Sequence, residues 1–271
     1  MTHLELNELK RLAKSIRKEI LISINKAGSG HTGGSLGLAD IFTFLYFVFL
    51  KHDPQNPKMP DRDKLILSAG HVAPVLYATL AHKGYFQIED LHSLRKLGSP
   101  LQGHPSLSSG IPGLETSSGS LGQGLSIAIG MALADKIDNV NRKIVCICGD
   151  GELQEGQIWE AAMSASHHKL NSLICIVDRN NVQIDGNTKD VMSIEPLKSK
   201  WESFGWEVSN CNGNDFESIS SCFNNLKYES PNLIIAKTKM GTGIPKIEND
   251  YTWHGKAPDN NELKTFLEQL Y

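Results

Sequence analysis

Two uninterrupted apolar runs, Ile144-Val145-Cys146-Ile147-Cys148 and Leu173-Ile174-Cys175-Ile176-Val177, each stop abruptly in a polar turn, and this pairing constrains the fold more than any other feature. A strand with no polar alternation is one buried on both faces, as in parallel sheets flanked by helices. The first run ends in Gly149-Asp150-Gly151 and the second in Asp178-Arg179-Asn180-Asn181. A strand that breaks in a glycine-flanked acid and turns into a helix leaves a carboxylate at the carboxyl edge of the sheet, where open α/β folds bind ligands. The glycines allow close backbone approach, and the helix N-terminus offers unpaired N–H groups to an anion. If the two strands are neighbours, the second delivers an amide oxygen to the same edge. Carboxylate, amide and phosphate oxygens are hard ligands of the kind Mg²⁺ or Ca²⁺ takes, so the turn reads as a diphosphate-and-metal site.

The rest of the chain continues the alternation of helix and strand. Leu9, Leu12, Ala13, Ile16, Ile20 and Ile24 recur at three- and four-residue steps, predicting an amphipathic helix that ends near Ala27-Gly28. The glycine-rich segment from Gly28 to Gly37 reads as a loop, and Ile41 to Leu50 as a core helix too short to span a membrane. After Pro54, Pro57 and Pro60, the run Lys64 to Ser68 is a buried-strand candidate that stops at Ala69-Gly70-His71. Val72 to His82, Leu125 to Ala134 and Glu152 to His168 predict helices, and Gly98 to Gly124 is too long for a mere connector and reads as a functional loop. A helix closing at Trp201 to Phe204, a weak strand starting at Gly205 and a buried strand Leu233 to Ala236 complete the pattern. The expected fold is α/β, with a mostly parallel central sheet and helices on both faces. With no repeat, low-complexity tract or linker, one domain over residues 1–271 is expected.

A net charge of −3 gives no reason to expect nucleic acid or an anionic membrane as partner. Glu5, Glu8 and Lys10 stand where a signal peptide would carry a basic and then an apolar segment. Five cysteines without a Cys-x-x-Cys pair, three of them inside the apolar runs, predict buried reduced thiols and a cytoplasmic setting rather than a zinc site.

Four of the ten histidines lie beside glycine, in Gly30-His31, Gly70-His71, Gly103-His104 and His254-Gly255. One such histidine is more often a turn residue than a catalyst. Four of them beside a metal-diphosphate edge point to chemistry, because imidazole both donates and accepts near neutral pH and suits sugar hydroxyls and phosphates. Gly28-Ser29-Gly30-His31-Thr32-Gly33 has the spacing of a dinucleotide fingerprint, but it follows a helical pattern where that motif needs a strand. No Gly-x-x-x-x-Gly-Lys-Ser/Thr loop occurs. Glu152 reads as part of a solvated helix face.

The segment from Gly149 to Asn181 resembles the thiamine diphosphate motif, and the flanking words resemble the transketolase family. They are Gly149-Asp150-Gly151-Glu152-Leu153-Gln154-Glu155-Gly156, Leu121-Gly122-Gln123-Gly124, Gly30-His31, Ala69-Gly70-His71, Gly103-His104-Pro105, Ile184-Asp185-Gly186 and Trp253-His254-Gly255. The resemblance implies the diphosphate-binding (PP-type) thiamine fold, with Asp150, the Asn180 side chain and the Val182 carbonyl holding Mg²⁺ or Ca²⁺. The scarcity of basic residues around this edge agrees, since a cation must then offset the phosphate charge. It also implies that Gly151, His71 and His254 contact the diphosphate end, that Gly119, Ser120 and Leu121 line the cofactor, and that His31 and His104 face the sugar. Glu155 matches the acid that, in the family, sits at the subunit interface and couples paired active sites. His31, His71, His104 and His254 become candidates for holding hydroxyls and moving protons. Thr32 and Ser120 stand where long family members commonly carry proline, which bears on loop shape more than on chemistry.

In the family, the glutamate facing the cofactor's aminopyrimidine and the groups that grip the substrate phosphate belong to a second domain. No segment here resembles that pyrimidine-binding domain or the C-terminal one. The expectation is therefore the N-terminal subunit of a split transketolase, which moves a two-carbon ketol unit from a ketose phosphate to an aldose phosphate only with a separate C-terminal subunit, in an α₂β₂ assembly. Pentose phosphates are the default substrates, with sulfosugar and branched-sugar phosphates open. Two rival readings are the α-subunit of a 2-oxo acid dehydrogenase and a non-catalytic thiamine diphosphate-binding relative. The four histidines weigh against the former, because oxidative decarboxylation has no polyol to grip.

Overall fold

The structure, a computed structural model, describes residues 2–270. Seven strands occur among them: β1 (Lys64–Leu67), β2 (Ile144–Gly149), β3 (Leu173–Arg179), β4 (Val182–Gln183), β5 (Gly186–Asn187), β6 (Glu207–Asn212) and β7 (Asn232–Lys237). Five of them form one sheet in the order β1-β2-β3-β7-β6, with every neighbouring pair parallel. The short pair β4–β5 is antiparallel and stands apart. The helices are α1 (His3–Ala27), α2 (Thr32–Gly37), α3 (Ala39–Phe44), α4 (Ala73–Lys83), α5 (Gln123–Asp138), α6 (Gly156–His167), α7 (Thr188–Met192), α8 (Leu197–Ser203), α9 (Phe216–Asn224) and α10 (Asn260–Gln269). None of them is long and apolar enough to cross a membrane.

Alternate strand residues point to opposite faces, and here both faces are covered. Leu65, Val145, Ile147, Ile174 and Ile176 join an apolar cluster with α1, α3, α4, α9 and α10. Ile66, Cys146, Cys148, Cys175 and Val177 join a second cluster with α5, α6 and α8. This double burial explains runs that show no polar alternation, and all five cysteines are free and buried. The first helix begins in a capping box between Thr2 and Glu5 and stops at Gly28, whose φ of 68° is left-handed.

Three expected elements differ in detail. The segment read as a glycine-rich loop contains α2, every residue of which is buried, so packing overrides the poor helix propensity of its glycines. Thr32 is its first residue, a position that suits proline, and its Oγ1 donates to the Lys256 carbonyl at 2.6 Å. The helix expected from Ile41 to Leu50 ends at Phe44 and widens into a π turn, Leu45–Phe49, that leaves Val48 53% exposed. The helix expected from Glu152 to His168 is a 3₁₀ turn, Gly151–Gln154, then an extended Glu155 and then α6.

Register sets up the site. Gly149 pairs with Asp178, and Asp178 with Ala236, so the strands end level and their following residues share one edge.

Candidate functional site

The carboxyl ends of β1, β2 and β3 place Ser68 to His71, Gly149 to Glu152, and Asp178 to Val182 side by side. Asp150 is buried. Its Oδ1 accepts from the Gly151 N–H at 2.8 Å, and its Oδ2 from the Asn181 N–H at 2.7 Å and Arg179 Nη1 at 2.8 Å. Burial raises the Asp150 carboxyl above the ordinary range, outweighing the Arg179 charge and the backbone donors. Arg179 also bonds Glu195 through Nη2 at 2.8 Å. The edge is therefore less free of basic side chains than its sequence surroundings implied, because a buried guanidinium already sits on Asp150.

Asn180 is oriented from behind. Its Nδ2 donates to Asp178 Oδ2 at 2.9 Å, which fixes Oδ1 as the atom accepting from the Val182 N–H at 2.9 Å. Asp178 is in turn held by the Thr238 hydroxyl, and burial pushes its carboxyl up to about 7. Asp150 Oδ1 and Asn180 Oδ1 each take one protein donor and keep acceptor capacity, and both residues line a cavity of about 210 Å³. No group of three or more His, Cys, Asp or Glu side chains suited to a metal occurs among the described residues. The donor set thus fits a hard divalent cation that completes its shell with backbone and phosphate oxygens, and does not fit a cation held by side chains alone.

Glu152 corrects the reading of a solvated helix face. It is 2% exposed, and its carboxylate accepts from the Gly122 N–H at 2.8 Å, the Gly149 N–H at 2.9 Å and the Ser68 hydroxyl. Ser68 Oγ also accepts from the Gly124 N–H at 3.0 Å. One side chain thereby ties the ends of β1 and β2 to the turn that opens α5. Burial, followed by the nearby Cys148, raises its carboxyl to about 8.

Three of the four histidines form a ring cluster, with centroids 5.0 Å apart for His31 and His71, 5.3 Å for His71 and His254, and 5.6 Å for His31 and His254. Burial and then the neighbouring imidazoles hold His71 down at about 3. Burial, followed by His254 and Arg95, holds His31 at about 4. Burial lowers His254, and burial and then Arg95 lower His104. His104 stands outside the ring cluster, next to Gly119: a Cβ built on that glycine would lie 3.4 Å from its ring.

The cavity is lined by His71, Leu121, Asp150, Gly151, Asn180 and His254, together with Val182 and Glu155. His31 reaches this set only through its ring contacts, while Gly119, Ser120 and His104 lie outside the lining and Ser120 is exposed. The site also uses residues that the sequence does not single out as functional. Glu152, Asp178 and Arg179 lie inside the two turn motifs themselves, which is the signal that could have found them. Ser68, Thr238 and Glu195 carry no local signal and act only through tertiary contact.

The thiamine diphosphate binding domain of transketolase matches residues 9–270. The chain belongs to the transketolase family. This transketolase-family chain is 42% identical over 270 residues to an apulose-4-phosphate transketolase subunit of Actinobacillus succinogenes, covering 99% of this chain and 98% of that one. It is 44% identical over 265 residues to a 6-deoxy-6-sulfo-D-fructose transketolase subunit of a Clostridium species, covering 97% and 96%. The crystal structure of Campylobacter jejuni transketolase superposes with a TM-score of 0.91 at 38% identity, over 100% of this chain and 43% of that one. The transketolase-family chain thus spans less than half of that long transketolase and nearly all of the two subunit relatives.

Proposed function

We propose that this chain is the diphosphate-binding subunit of a split transketolase. It acts with a separate subunit that carries the pyrimidine-binding and C-terminal domains, and moves a two-carbon ketol unit from a ketose phosphate to an aldose phosphate. The observation that carries the reading is the meeting, at one sheet edge, of the Asp150–Asn180 oxygen donors with the His31–His71–His254 cluster. The naming of relatives matched nearly end to end as transketolase subunits supports the division into two chains.

When bound, thiamine diphosphate supplies the nucleophilic carbon and electron sink needed to break and remake a carbon–carbon bond beside a carbonyl. Asp150, the Asn180 amide oxygen and the Val182 carbonyl hold the Mg²⁺ or Ca²⁺ of its diphosphate, with Gly151, His71 and His254 beside the phosphates. Gly119, Ser120 and Leu121 line the cofactor. His31 and His104 face the sugar, and at pH 7 the lowered imidazoles are neutral, so each accepts a hydrogen bond from one hydroxyl at its bare nitrogen and donates one to another through its N–H. Glu155, exposed in this chain, belongs to the contact that couples two active sites in an α₂β₂ assembly. Five buried free thiols agree with a reducing, cytoplasmic setting.

The test is a ketol-transfer assay with the chain and the protein that co-purifies with it. Turnover is expected from the pair and none from the chain alone, with no decarboxylation of 2-oxo acids. Decarboxylation without ketol transfer would favour the dehydrogenase reading, and cofactor binding with neither activity would favour a non-catalytic relative.

A further inference from the structure

Among the described residues, eight buried side-chain polar atoms lack a hydrogen-bond partner, and four of them surround the histidines: His31 Nδ1, Tyr77 Oη, Arg95 Nε and Ser118 Oγ. Their placement is mutual. The Arg95 charge acts on His31, His104 and Tyr77, and Ser118 Oγ lies 2.6 Å from where a Cβ on Gly70, the neighbour of His71, would stand. The guanidinium is packed on the backbone just before His104: a Cβ on Gly103 would lie 2.5 Å from its Cζ and 2.7 Å from Nη2. Only glycine at 103 admits the arginine there.

Two features set Arg95 apart from a structural arginine. Its guanidinium forms no hydrogen bond or ion pair among the described residues, although the side chain is half-buried. Other poorly exposed arginines of the fold are paired, half-buried Arg62 with Glu115 and buried Arg179 with Asp150 and Glu195. Leaving a buried charged donor unpaired is costly, so such a group is matched to an acceptor that arrives from outside the chain. In addition, Arg95 has φ 60°, a left-handed conformation uncommon for a side-chain-bearing residue, and this backbone is pinned by its N–H donating to the Leu101 carbonyl at 2.8 Å. Outliers of this kind persist where the surroundings over-determine them, and they cluster at ligand sites.

We infer that Arg95 is a substrate-contacting residue of the sugar pocket, whose guanidinium donates to hydroxyl oxygens of the ketose beside His31 and His104. The inference rests on the transketolase reading and adds a cationic donor to an otherwise uncharged imidazole set. Guanidinium suits this role because it offers several N–H groups in a fixed fork and cannot lose its charge. With no carboxylate paired to it among the described residues, its donors remain available to a polyol, and Tyr77 and Ser118 offer hydroxyls that extend the same network.

The test uses the complex of this chain with its co-purified partner, loaded with cofactor and Mg²⁺. The donor is whichever of xylulose 5-phosphate, apulose 4-phosphate or 6-deoxy-6-sulfofructose the wild type turns over fastest. Arg95→Met is expected to raise the donor KM by about tenfold or more, with cofactor affinity, read by calorimetry, unchanged. Arg95→Lys is expected to recover part of the loss. Should Arg95→Met fail to fold, Arg95→Gln is expected to show the same KM effect. A KM within twofold of wild type in a folded neutral variant overturns the assignment. So does a matching loss of cofactor affinity, which would mark a structural arginine. A wild-type complex inactive on all three donors overturns the transketolase reading and this assignment with it, whereas an active wild type with an indifferent Arg95 variant removes only the latter.

Discussion

Asp150 is held by three protein donors yet keeps acceptor capacity on Oδ1, so removing it deletes a ligand while leaving strands β2 and β3 intact. Asp150→Ala in the reconstituted complex is expected to abolish metal-dependent thiamine diphosphate binding. An unchanged affinity in titration calorimetry would rule out the metal assignment. Glu152 makes a separate prediction about stability. The folded chain keeps a proton on Glu152 up to about pH 8 and on Asp178 up to about 7, while the unfolded chain releases both near the ordinary carboxylate range. The native state then binds more protons, so stability falls as pH rises towards 8. His31 and His71 act in the opposite sense, since their lowered values make stability fall as pH drops below about 6.5. Between pH 6.5 and 8 the two raised carboxyls lower stability as pH rises, each by at most about 1.4 kcal/mol per pH unit. In urea unfolding of the metal-free chain, Glu152→Gln is expected to reduce the loss across that interval by about 1–2 kcal/mol, and an unaltered slope would show that Glu152 ionises normally. Asp150, Asn180 and the histidines were readable because glycine-flanked polar residues after a strand announce a site. Glu152 was not, because the same residue at the start of a helix is ordinarily solvated, and only the 3₁₀ turn from Gly151 to Gln154 swings it inward.

The strands were the most legible elements, for a physical reason: β1, β2, β3 and β7 are buried on both faces, so their apolar runs are continuous and end sharply at the edge. Strand β6 was faint because its burial is intermittent, and the β4–β5 pair was missed because two-residue strands carry no periodicity. Helix α2 was hidden by glycines that tertiary packing holds in helical form. The contrast between a doubly covered strand and an uncovered turn can be measured. Ile176→Ala, in the middle of β3 and 1% exposed, is expected to cost roughly 2–5 kcal/mol in urea unfolding. Ile184→Ala, in the β4–β5 turn and 69% exposed, is expected to stay within about 0.5 kcal/mol of wild type. Equal losses would mean that the sheet is not the stabilising unit.

Among the exposed large apolar side chains, Ile184 at 69% lines the cavity, Met192 at 57% ends α7 and Met163 at 52% lies on α6. Gln154 links two of these regions, its Nε2 donating to Gln183 Oε1 at 2.8 Å and to the Met192 carbonyl at 2.7 Å. Exposed apolar groups grouped at a site mark a surface that another chain covers. In the proposed complex, the partner brings its half of the cofactor pocket against Glu155 and the open side of the Asp150–Asn180 edge, next to Ile184. On adding the co-purified partner, amide exchange across residues 156–163 and 184–192 is expected to slow at least about tenfold, because burial at an interface suppresses local opening. The exposed backs of α1 and α10, on the far face of the sheet, are expected to exchange as before. Light scattering of the same sample is expected to give the mass of two chains of each kind. Protection confined to α1 and α10, or a complex with one chain of each kind, would place the partner away from this edge and break the link between assembly and the completed site.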